Sequence, residues 1–214
     1  MTTDEWDEQL TFALDHGMPH LSAYCLTVEK GTALEHQVRK GLVKPAADHA
    51  QATQFDHLVA RMERAGLVQY EISNFGREGH FAAHNSSYWK GVPYIGAGPS
   101  AHSFDGTVRR WNVANNVRYA EALETDNRFW EEETLSHSQR VNERLMTGLR
   151  TIWGVDLLTL GDDVLARERR TIVKYRELGD LVIRNDRLLL TPKGRRYADR
   201  IASDLFLTGD DAGH

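Results

Sequence analysis

Cysteine is nearly missing from this chain, which has 214 residues and only Cys25 as a thiol. One thiol excludes an intramolecular disulfide and a metal site built from cysteines alone. No apolar run approaches the ~18 residues that a membrane-spanning helix needs. The opening stretch MTTDEWDEQL is acidic and polar, unlike a signal or transit peptide. These absences predict a cytoplasmic protein that reaches a membrane, if at all, only through its partners.

Charge is divided unevenly along the chain. Residues 1–135 hold 12 Lys and Arg against 19 Asp and Glu, a net charge of −7, whereas residues 136–206 hold 14 against 10, a net charge of +4. The stretch ETDNRFWEEETLSHSQ between them is polar and suggests a joint. The change of sign therefore predicts two domains, residues 1–130 and 136–206, followed by a polar tail over 207–214.

The first domain reads as helices alternating with strands. Thr2 and Glu5 have the spacing of a capping box at the start of a helix. Strand formers fill residues 20–28 and 67–74, with a long amphipathic helix predicted between them over 46–65. Helices alternating with strands predict α/β units around a mostly parallel sheet. Because the first element is a helix with no strand before it, these units look like the last part of a larger barrel.

The second domain reads as helices around a hairpin. Apolar spacing predicts helices over 136–152 and 162–178, and a hairpin turns at Asn185-Asp186. Thr191 is placed to cap a last helix that begins with Pro192. This order predicts an α+β, winged-helix-like domain, and the overall fold class is α/β plus α+β.

The helix predicted over 162–178 is basic, and in a winged helix it would occupy the place of a DNA-reading helix. Glu168 and Glu177 interrupt its positive charge, the domain carries only +4, and the wing RNDR is short. Nucleic-acid binding is therefore the less favoured reading. Its basic residues are Arg167, Arg169, Arg170, Lys174 and Arg176.

Histidine and aromatic residues crowd into the stretch HNSSYW at residues 84–89. A neutral imidazole such as that of His84 ligates haem iron and many metals, and Tyr88 and Trp89 offer flat surfaces to a planar macrocycle. Asn85 can hold the histidine tautomer. A surface loop anchored by its aromatics explains the same pattern, and the lack of helical periodicity argues against a two-histidine zinc site with His80.

A glycine-rich turn follows in the stretch YIGAGPSAHSF. Glycines allow backbone N–H groups to approach a carboxylate or phosphate closely. The spacing lacks a GxGxxG nucleotide motif, because position 101 is alanine. The alternatives are the wall of a binding pocket and a turn that only packs. The wall would be formed by Gly96, Gly98, Pro99, Ser100 and His102.

Two further features carry simple interpretations. A hairpin about Asp105-Gly106 bears Arg109 and Arg110, whose guanidinium groups either bind ligand carboxylates or face solvent. Cys25 lies within the predicted strand 20–28 and is expected to be a buried, small apolar residue.

Longer strings in the sequence resemble a known family. HLSAYCLTVEKGTALEHQVRKG, YEISNFGREGHFAAHNSSYW, YIGAGPSAHSF with RRWN, and RVNERLMTGLRTIWGVDL together resemble the C-terminal half of the haem chaperone family HemW. Its members are long described as radical-SAM proteins similar to oxygen-independent coproporphyrinogen III oxidase. LTPKGRRYADRI resembles the end of their C-terminal domain. The resemblance covers residues 2–206, and HNxxYW is its most specific part.

This resemblance implies a fold and a role. It implies the terminal units of a partial (β/α) radical-SAM barrel, then a small C-terminal domain. It also implies haem binding, delivery of haem to respiratory haem proteins, and, in the full-length family, S-adenosylmethionine and a four-iron cluster on a CxxxCxxC motif. His84 matches the haem-linked histidine, so the resemblance implies that it is a ligand of the haem iron. The other matching residues are Asn85, Tyr88 and Trp89 in the haem motif, Gly96, Gly98 and His102 beside the barrel mouth, and Tyr24 on a strand facing the barrel interior.

The departure from the family is the missing CxxxCxxC motif. A four-iron cluster that binds S-adenosylmethionine needs three cysteine thiolates, so this chain is expected to perform no radical chemistry by itself. The favoured hypothesis is a fragment of a HemW-like haem chaperone. The alternatives are part of a coproporphyrinogen III oxidase and a winged-helix module that binds nucleic acid or protein. Open strand edges predict self-association.

Overall fold

The structure is a computed structural model that describes residues 2–208. Backbone contacts divide the chain into two units, one ending at Ala82 and the other beginning at Ala83. Within the stretch predicted as a polar joint, Trp130–Thr134 is a strand paired with Val108–Asn112. Most of the predicted tail lies outside the described residues. Among residues 2–208, no helix has both the length and the apolar character that crossing a membrane requires.

The first unit has three helices and one three-stranded sheet. The helices are α1 (Thr3–Asp15), α2 (Ala33–Arg39) and α3 (Asp48–Arg64). The strands are β1 (His20–Ser22), β2 (Val68–Glu71) and β3 (Asn74–Gly76), in the order β1-β3-β2. The capping box is confirmed, since Thr2 Oγ1 accepts the Glu5 N–H and the Glu5 carboxylate accepts the Thr2 N–H. The core is formed by Leu10, Leu58, Met62, Leu67 and Phe75.

Three predictions for this unit are wrong. Both strand pairings in its sheet are antiparallel, so the described strands do not form a parallel sheet. The strand predicted over 20–28 ends at Ser22. The strand predicted over 67–74 is instead a hairpin, because the Glu71 carboxylate accepts the Ser73 N–H (3.0 Å) and closes a turn at Ile72-Ser73. A run of strand formers does not reveal such a turn.

The second unit opens with a helix and a three-stranded antiparallel sheet. The helices are α4 (Ala83–Trp89) and α5 (Asn116–Glu124). The strands are β4 (His102–Phe104), β5 (Val108–Asn112) and β6 (Trp130–Thr134), in that order in the sheet. The hairpin at Asp105-Gly106 is confirmed, with the Asp105 carboxylate accepting the Thr107 and Val108 N–H groups.

The same unit continues with helices around a second antiparallel sheet. The helices are α6 (His137–Leu149), α7 (Leu157–Leu160), α8 (Asp162–Arg167), α9 (Arg169–Glu177) and α10 (Ala198–Asp204), with a 3₁₀ turn at Gly194–Tyr197. The strands are β7 (Val155–Asp156), β8 (Leu181–Arg184) and β9 (Arg187–Leu190), in the order β7-β9-β8. Helix α6 packs on α10 and also contacts α4. The buried core includes Val141, Leu145, Leu149, Leu188 and Ile201.

Local signals in this part match the structure with one exception. Asn185 and Asp186 both have positive φ (50° and 56°), as a tight hairpin turn requires. Thr191 Oγ1 accepts the Gly194 N–H (3.2 Å), although the segment it caps begins as a 3₁₀ turn. The single helix predicted over 162–178 is wrong, because Glu168 (φ −88°, ψ 7°) leaves helical geometry and separates α8 from α9.

Candidate functional site

The HNSSYW stretch forms helix α4, which corrects the expectation of a non-helical loop. At seven residues the helix is too short to be stable alone, and its contact with α6 supplies the tertiary packing it needs. Residues four apart share a helix face. His84 and Tyr88 therefore lie on one face, and Asn85 and Trp89 on the next.

His84 is exposed and packs only through its ring. Its centroid lies 4.9 Å from that of Tyr88 in an edge-to-face arrangement. Among residues 2–208, no hydrogen bond engages either of its ring nitrogens. Tyr88 in turn contacts Tyr94 edge-to-face at 4.7 Å, and Tyr94 contacts Phe104 at 6.3 Å. The imidazole is thus held on an aromatic row with its nitrogens available to a metal or a proton donor.

Trp89 faces the body of the second unit. The Arg150 guanidinium lies 5.5 Å from its ring centroid, a distance suited to a cation–π contact. Its indole Nε1 is buried and has no hydrogen-bond partner in the described part of the chain. Asn85, on the same helix face, is half-buried. Helix α4 therefore has unsatisfied donors as well as aromatic surface.

A cavity of about 730 Å³ lies beside α4 and α6, and we call it the α4–α6 groove. That volume falls within the ~300–1,000 Å³ typical of small-molecule sites. Its aromatic lining is Tyr88, Trp89, Tyr94, Phe104 and Trp153. Its charged lining is Lys90, Arg109, Arg140, Glu143, Arg144, Asp156 and Arg187. Of the residues predicted to bind haem, the structure brings Tyr88 and Trp89 to this groove, and His84 and Asn85 do not line it.

Arg109 and Arg110 are engaged across the sheet. β5 and β6 place Arg109 opposite Glu133 and Arg110 opposite Glu132, with N–O distances of 3.3 and 2.7 Å. Arg109 also pairs with Glu143 on α6. Such cross-strand pairs stabilise the sheet and leave these two guanidinium groups little capacity for a ligand.

Backbone groups of the glycine-rich segment form hydrogen bonds to side chains of the protein itself. The Gly96 N–H donates to Ser103 Oγ (2.9 Å) and the Gly98 N–H donates to Tyr119 Oη (3.2 Å). The Asn112 amide donates to both glycine carbonyls. A Cβ on Gly96 would overlap the His102 backbone carbonyl, which explains why glycine is needed there.

The remaining residues of that segment lie around this turn. His102 is exposed, with its ring centroid 6.5 Å from that of Trp111. Ser100 has a positive φ of 60°, next to Pro99. None of the segment's predicted wall residues lines the α4–α6 groove. Their role as a ligand-facing wall stays a prediction.

The placement predicted for Tyr24 is wrong. The chain leaves strand geometry at Ala23, so Tyr24 is 73% exposed and is not part of a strand. Cys25, expected to be buried, is also exposed. Both line a smaller cavity of about 290 Å³ in the first unit, with an apolar lining that includes Trp6 and Phe55.

Sequence reasoning missed a buried polar cluster in the first unit. Glu71 is 2% exposed and its carboxylate accepts hydrogen bonds from Asn74 and Ser73, while the Ser22 hydroxyl donates to Asn74 Oδ1 at 2.7 Å. The signal was present in YEISNF, where three polar residues interrupt an otherwise strand-like run.

A histidine in the same unit is also partly buried. His20 Nε2 lies 2.8 Å from Tyr70 Oη, and burial lowers the pKa of the His20 imidazole. The tyrosine ring stacks on Phe81 at 4.4 Å. Neutral His20 is therefore favoured near pH 7.

The described residues do not fit an iron–sulfur cluster. Cys25 is the one thiol of the chain, and residues 2–208 contain no group of three or more histidine, cysteine or acidic side chains placed to hold a metal ion. A four-iron cluster needs three thiolates. The role predicted for His84 as a ligand of haem iron stays a prediction.

Comparison with known proteins identifies the family. The HemN C-terminal domain matches residues 135–197. The haem chaperone HemW of Mycobacterium tuberculosis is 36% identical over 213 residues, covering 96% of this chain and 53% of that protein. The mitochondrial radical S-adenosyl methionine domain-containing protein 1 of Danio rerio is 35% identical over 167 residues, covering 70% of this chain and 36% of that protein.

A solved structure has the same fold. Coproporphyrinogen III oxidase (HemN) from Escherichia coli, a radical SAM enzyme, superposes with a TM-score of 0.70 at 15% identity, covering 96% of this chain and 52% of that one. At that identity the likeness concerns the fold alone. The chain spans about half the length of the curated HemW proteins it matches. It belongs to the HemW family of radical-SAM proteins and corresponds to the half that carries the HemN C-terminal domain.

Proposed function

We propose that this chain is the haem-binding region of a HemW-type haem chaperone, with His84 as a ligand of the haem iron. One observation carries the proposal: His84 is exposed on α4, its nitrogens are uncommitted, and its ring rests on Tyr88. A neutral imidazole in that setting can ligate iron while the tyrosine ring supports the macrocycle. The relatives named as haem chaperones support the ligand class.

A haemin titration tests this role. With the wild-type chain we expect a shifted Soret band, because a histidine nitrogen enters the iron coordination sphere. The His84→Ala variant is expected to lose that shift. His137→Ala is the matched control, since His137 is also exposed and also lies on a helix of the second unit. Equal spectra for wild type and His84→Ala would refute the ligand role.

We also propose a division of the chain into two domains, in more detail than the family match gives. Residues 1–130 are proposed to be the terminal part of a partial radical-SAM barrel, supported by the fold likeness to a radical SAM enzyme. Residues 136–206 are proposed to form a winged-helix-like domain. The order of α6, β7, α8, α9 and the β8–β9 hairpin supports that assignment.

The proposed partners follow from the same family. Haem would pass from the complete protein to haem-accepting respiratory proteins, in the cytoplasm or at the membrane surface through those partners. The cluster and S-adenosylmethionine of the radical-SAM proteins are not assigned to residues of this chain. Self-association through exposed strand edges is expected for this chain by itself, and sedimentation velocity would show it as species larger than a monomer.

A further inference from the structure

The α4–α6 groove has positive charge that its own acids do not balance. Arg109 pairs with Glu143, and Arg187 lies 3.4 Å from the carboxylate of Asp156. These pairs account for both acidic residues of the lining. Three cations remain, Lys90, Arg140 and Arg144, and none of them has a carboxylate partner in the part of the chain that the structure describes.

Two of those cations are arranged to act together. Arg140 and Arg144 are four residues apart on α6, so their side chains leave the same helix face about 5–6 Å apart. Each donates through Nη1 to a backbone carbonyl, Arg140 to Leu135 (2.6 Å) and Arg144 to Thr159 (2.7 Å). The bond to a carbonyl fixes each guanidinium and leaves further N–H donors for a carboxylate.

The rest of the groove suits a flat ring system. Tyr88 and Trp89 line it from α4 and Trp153 lines it from the segment after α6, with the Lys90 ammonium 4.2 Å from the Trp153 ring centroid. Aromatic side chains favour stacking and edge contacts with a planar aromatic ligand. Tyr88 also contacts His84, so a macrocycle in the groove lies beside the His84–Tyr88 pair.

We propose that the α4–α6 groove binds a porphyrin-class dicarboxylate, with the two carboxylates held by Arg140 and Arg144. This inference rests on the proposed function for its ligand class. It differs in chemistry, since a guanidinium–carboxylate site needs no iron and His84 does not line the groove. The ion pairs Arg109–Glu143 and Arg187–Asp156 leave Arg140 and Arg144 as the arginines of the lining that have no carboxylate partner in the described chain.

The test uses the full chain and metal-free mesoporphyrin IX, followed by porphyrin fluorescence. We expect Arg144→Gln to weaken binding by about tenfold, and Arg140→Gln with Arg144→Gln to weaken it further, because charge-assisted hydrogen bonds are lost. Arg118→Gln is the matched control, because Arg118 is exposed on α5 outside the groove. The dimethyl ester of the same porphyrin should bind weakly and be insensitive to all three substitutions.

Variants that keep the charge guard against misfolding. If the Arg140→Gln chain shows no thermal unfolding transition, the test rests on Arg144→Gln alone and on a chain that carries both Arg140→Lys and Arg144→Lys. Lysine retains the positive charge without the guanidinium fork. Intermediate affinity in the lysine pair supports the proposal. Unchanged mesoporphyrin affinity in a folded Arg144→Gln chain overturns it.

Two further arms separate this inference from the proposed function. His84→Ala is scored by the haemin Soret shift, which it should remove, whereas the arginine variants are scored by metal-free mesoporphyrin. If the arginine variants bind mesoporphyrin like wild type and still shift the haemin Soret band, the proposed porphyrin site in the groove is refuted. The proposed role of His84 as an iron ligand then stands. The second arm uses a labelled oligoglutamate peptide. If the peptide binding depends on Arg144 and mesoporphyrin binding does not, the occupant of the groove is an acidic protein segment, and the porphyrin assignment is overturned.

Discussion

Helix α4 and the glycine-rich segment over residues 96–102 are neighbours in sequence, but they use their polar groups in opposite ways. In α4 the His84 nitrogens and the Trp89 indole N–H have no partner among residues 2–208. In the glycine-rich segment the N–H groups and carbonyls of Gly96 and Gly98 are bonded to side chains.

This difference separates residues whose replacement should affect ligand binding from residues whose replacement should affect stability. The exposed His84 imidazole, whose nitrogens have no hydrogen-bond partner in the described chain, is available to a ligand, so its replacement should alter binding more than stability. Groups already paired inside the protein have little to offer a ligand, and their loss leaves buried partners unsatisfied. Changes in the glycine-rich segment should therefore alter stability first, whatever it binds.

The largest expected effect comes from Gly96→Ala. The added Cβ would overlap the backbone carbonyl of His102, and a backbone atom in a paired strand cannot move away as a flexible side chain can. We expect the free energy of unfolding to fall by about 3 kcal/mol or more, measured by urea denaturation.

Gly91→Ala provides the contrast. Gly91 also follows α4 closely, but its Cβ would meet no atom within 4 Å. Its positive φ of 65° alone should cost about 1–2 kcal/mol. A Gly96→Ala chain that is no less stable than Gly91→Ala would mean that the segment is more adaptable than its hydrogen bonds indicate.

Local chemistry made some parts of the fold predictable from sequence. The Thr2–Glu5 capping box and the turn residues at Asp105-Gly106 and Asn185-Asp186 act within a few residues, so their signals are complete in the local sequence. Helix α3 was also recognisable, because its apolar spacing matches the face on which Leu58 and Met62 are buried.

Other parts depend on contacts between distant residues. Strand direction in the first sheet is set by the pairing of β1 and β2 with β3, which no single segment encodes. Helix α4 contains only seven residues and relies on α6 for packing. The α4–α6 groove likewise joins Tyr88 to Arg144, 56 positions later, so its residues could be recognised one by one but not as a site.

A smaller effect is expected at a buried serine of α4. Ser86 is buried, and its hydroxyl has no hydrogen-bond partner in the described residues. Ser86→Ala removes an unsatisfied polar atom and introduces a better helix former. We expect the free energy of unfolding to rise by about 0.5–1 kcal/mol in urea denaturation.

The neighbouring serine is the control for that substitution. Ser87 Oγ donates to the Ala83 carbonyl at 2.9 Å, so Ser87→Ala removes a bond that exists. Its effect should stay within about 0.5 kcal/mol, because alanine propensity offsets the lost bond. Destabilisation of the Ser86→Ala chain by more than Ser87→Ala would show that the Ser86 hydroxyl has a partner, and α4 would then resemble the glycine-rich segment.

The smallest expected effect is a pH dependence at Asp105, in the hairpin that follows the glycine-rich segment. Hydrogen bonds from the backbone N–H groups of Val108 and Thr107 lower the pKa of the Asp105 carboxyl. A depressed pKa in the folded state means that the stabilisation is present above the unfolded value of about 4 and is lost as pH falls through the folded value. Thermal midpoints between pH 2 and 6 should therefore converge for wild type and Asp105→Asn as pH falls, because the variant lacks the ionised acceptor. Asp126→Asn is the control for replacing a carboxylate by an amide, because Asp126 is exposed and has no ion pair in the described chain. If the plots of thermal midpoint against pH are parallel for wild type and Asp105→Asn, the ionised carboxylate adds little to the stability of this hairpin. Its hydrogen bonds would then contribute as little to stability as the unpaired polar groups of α4.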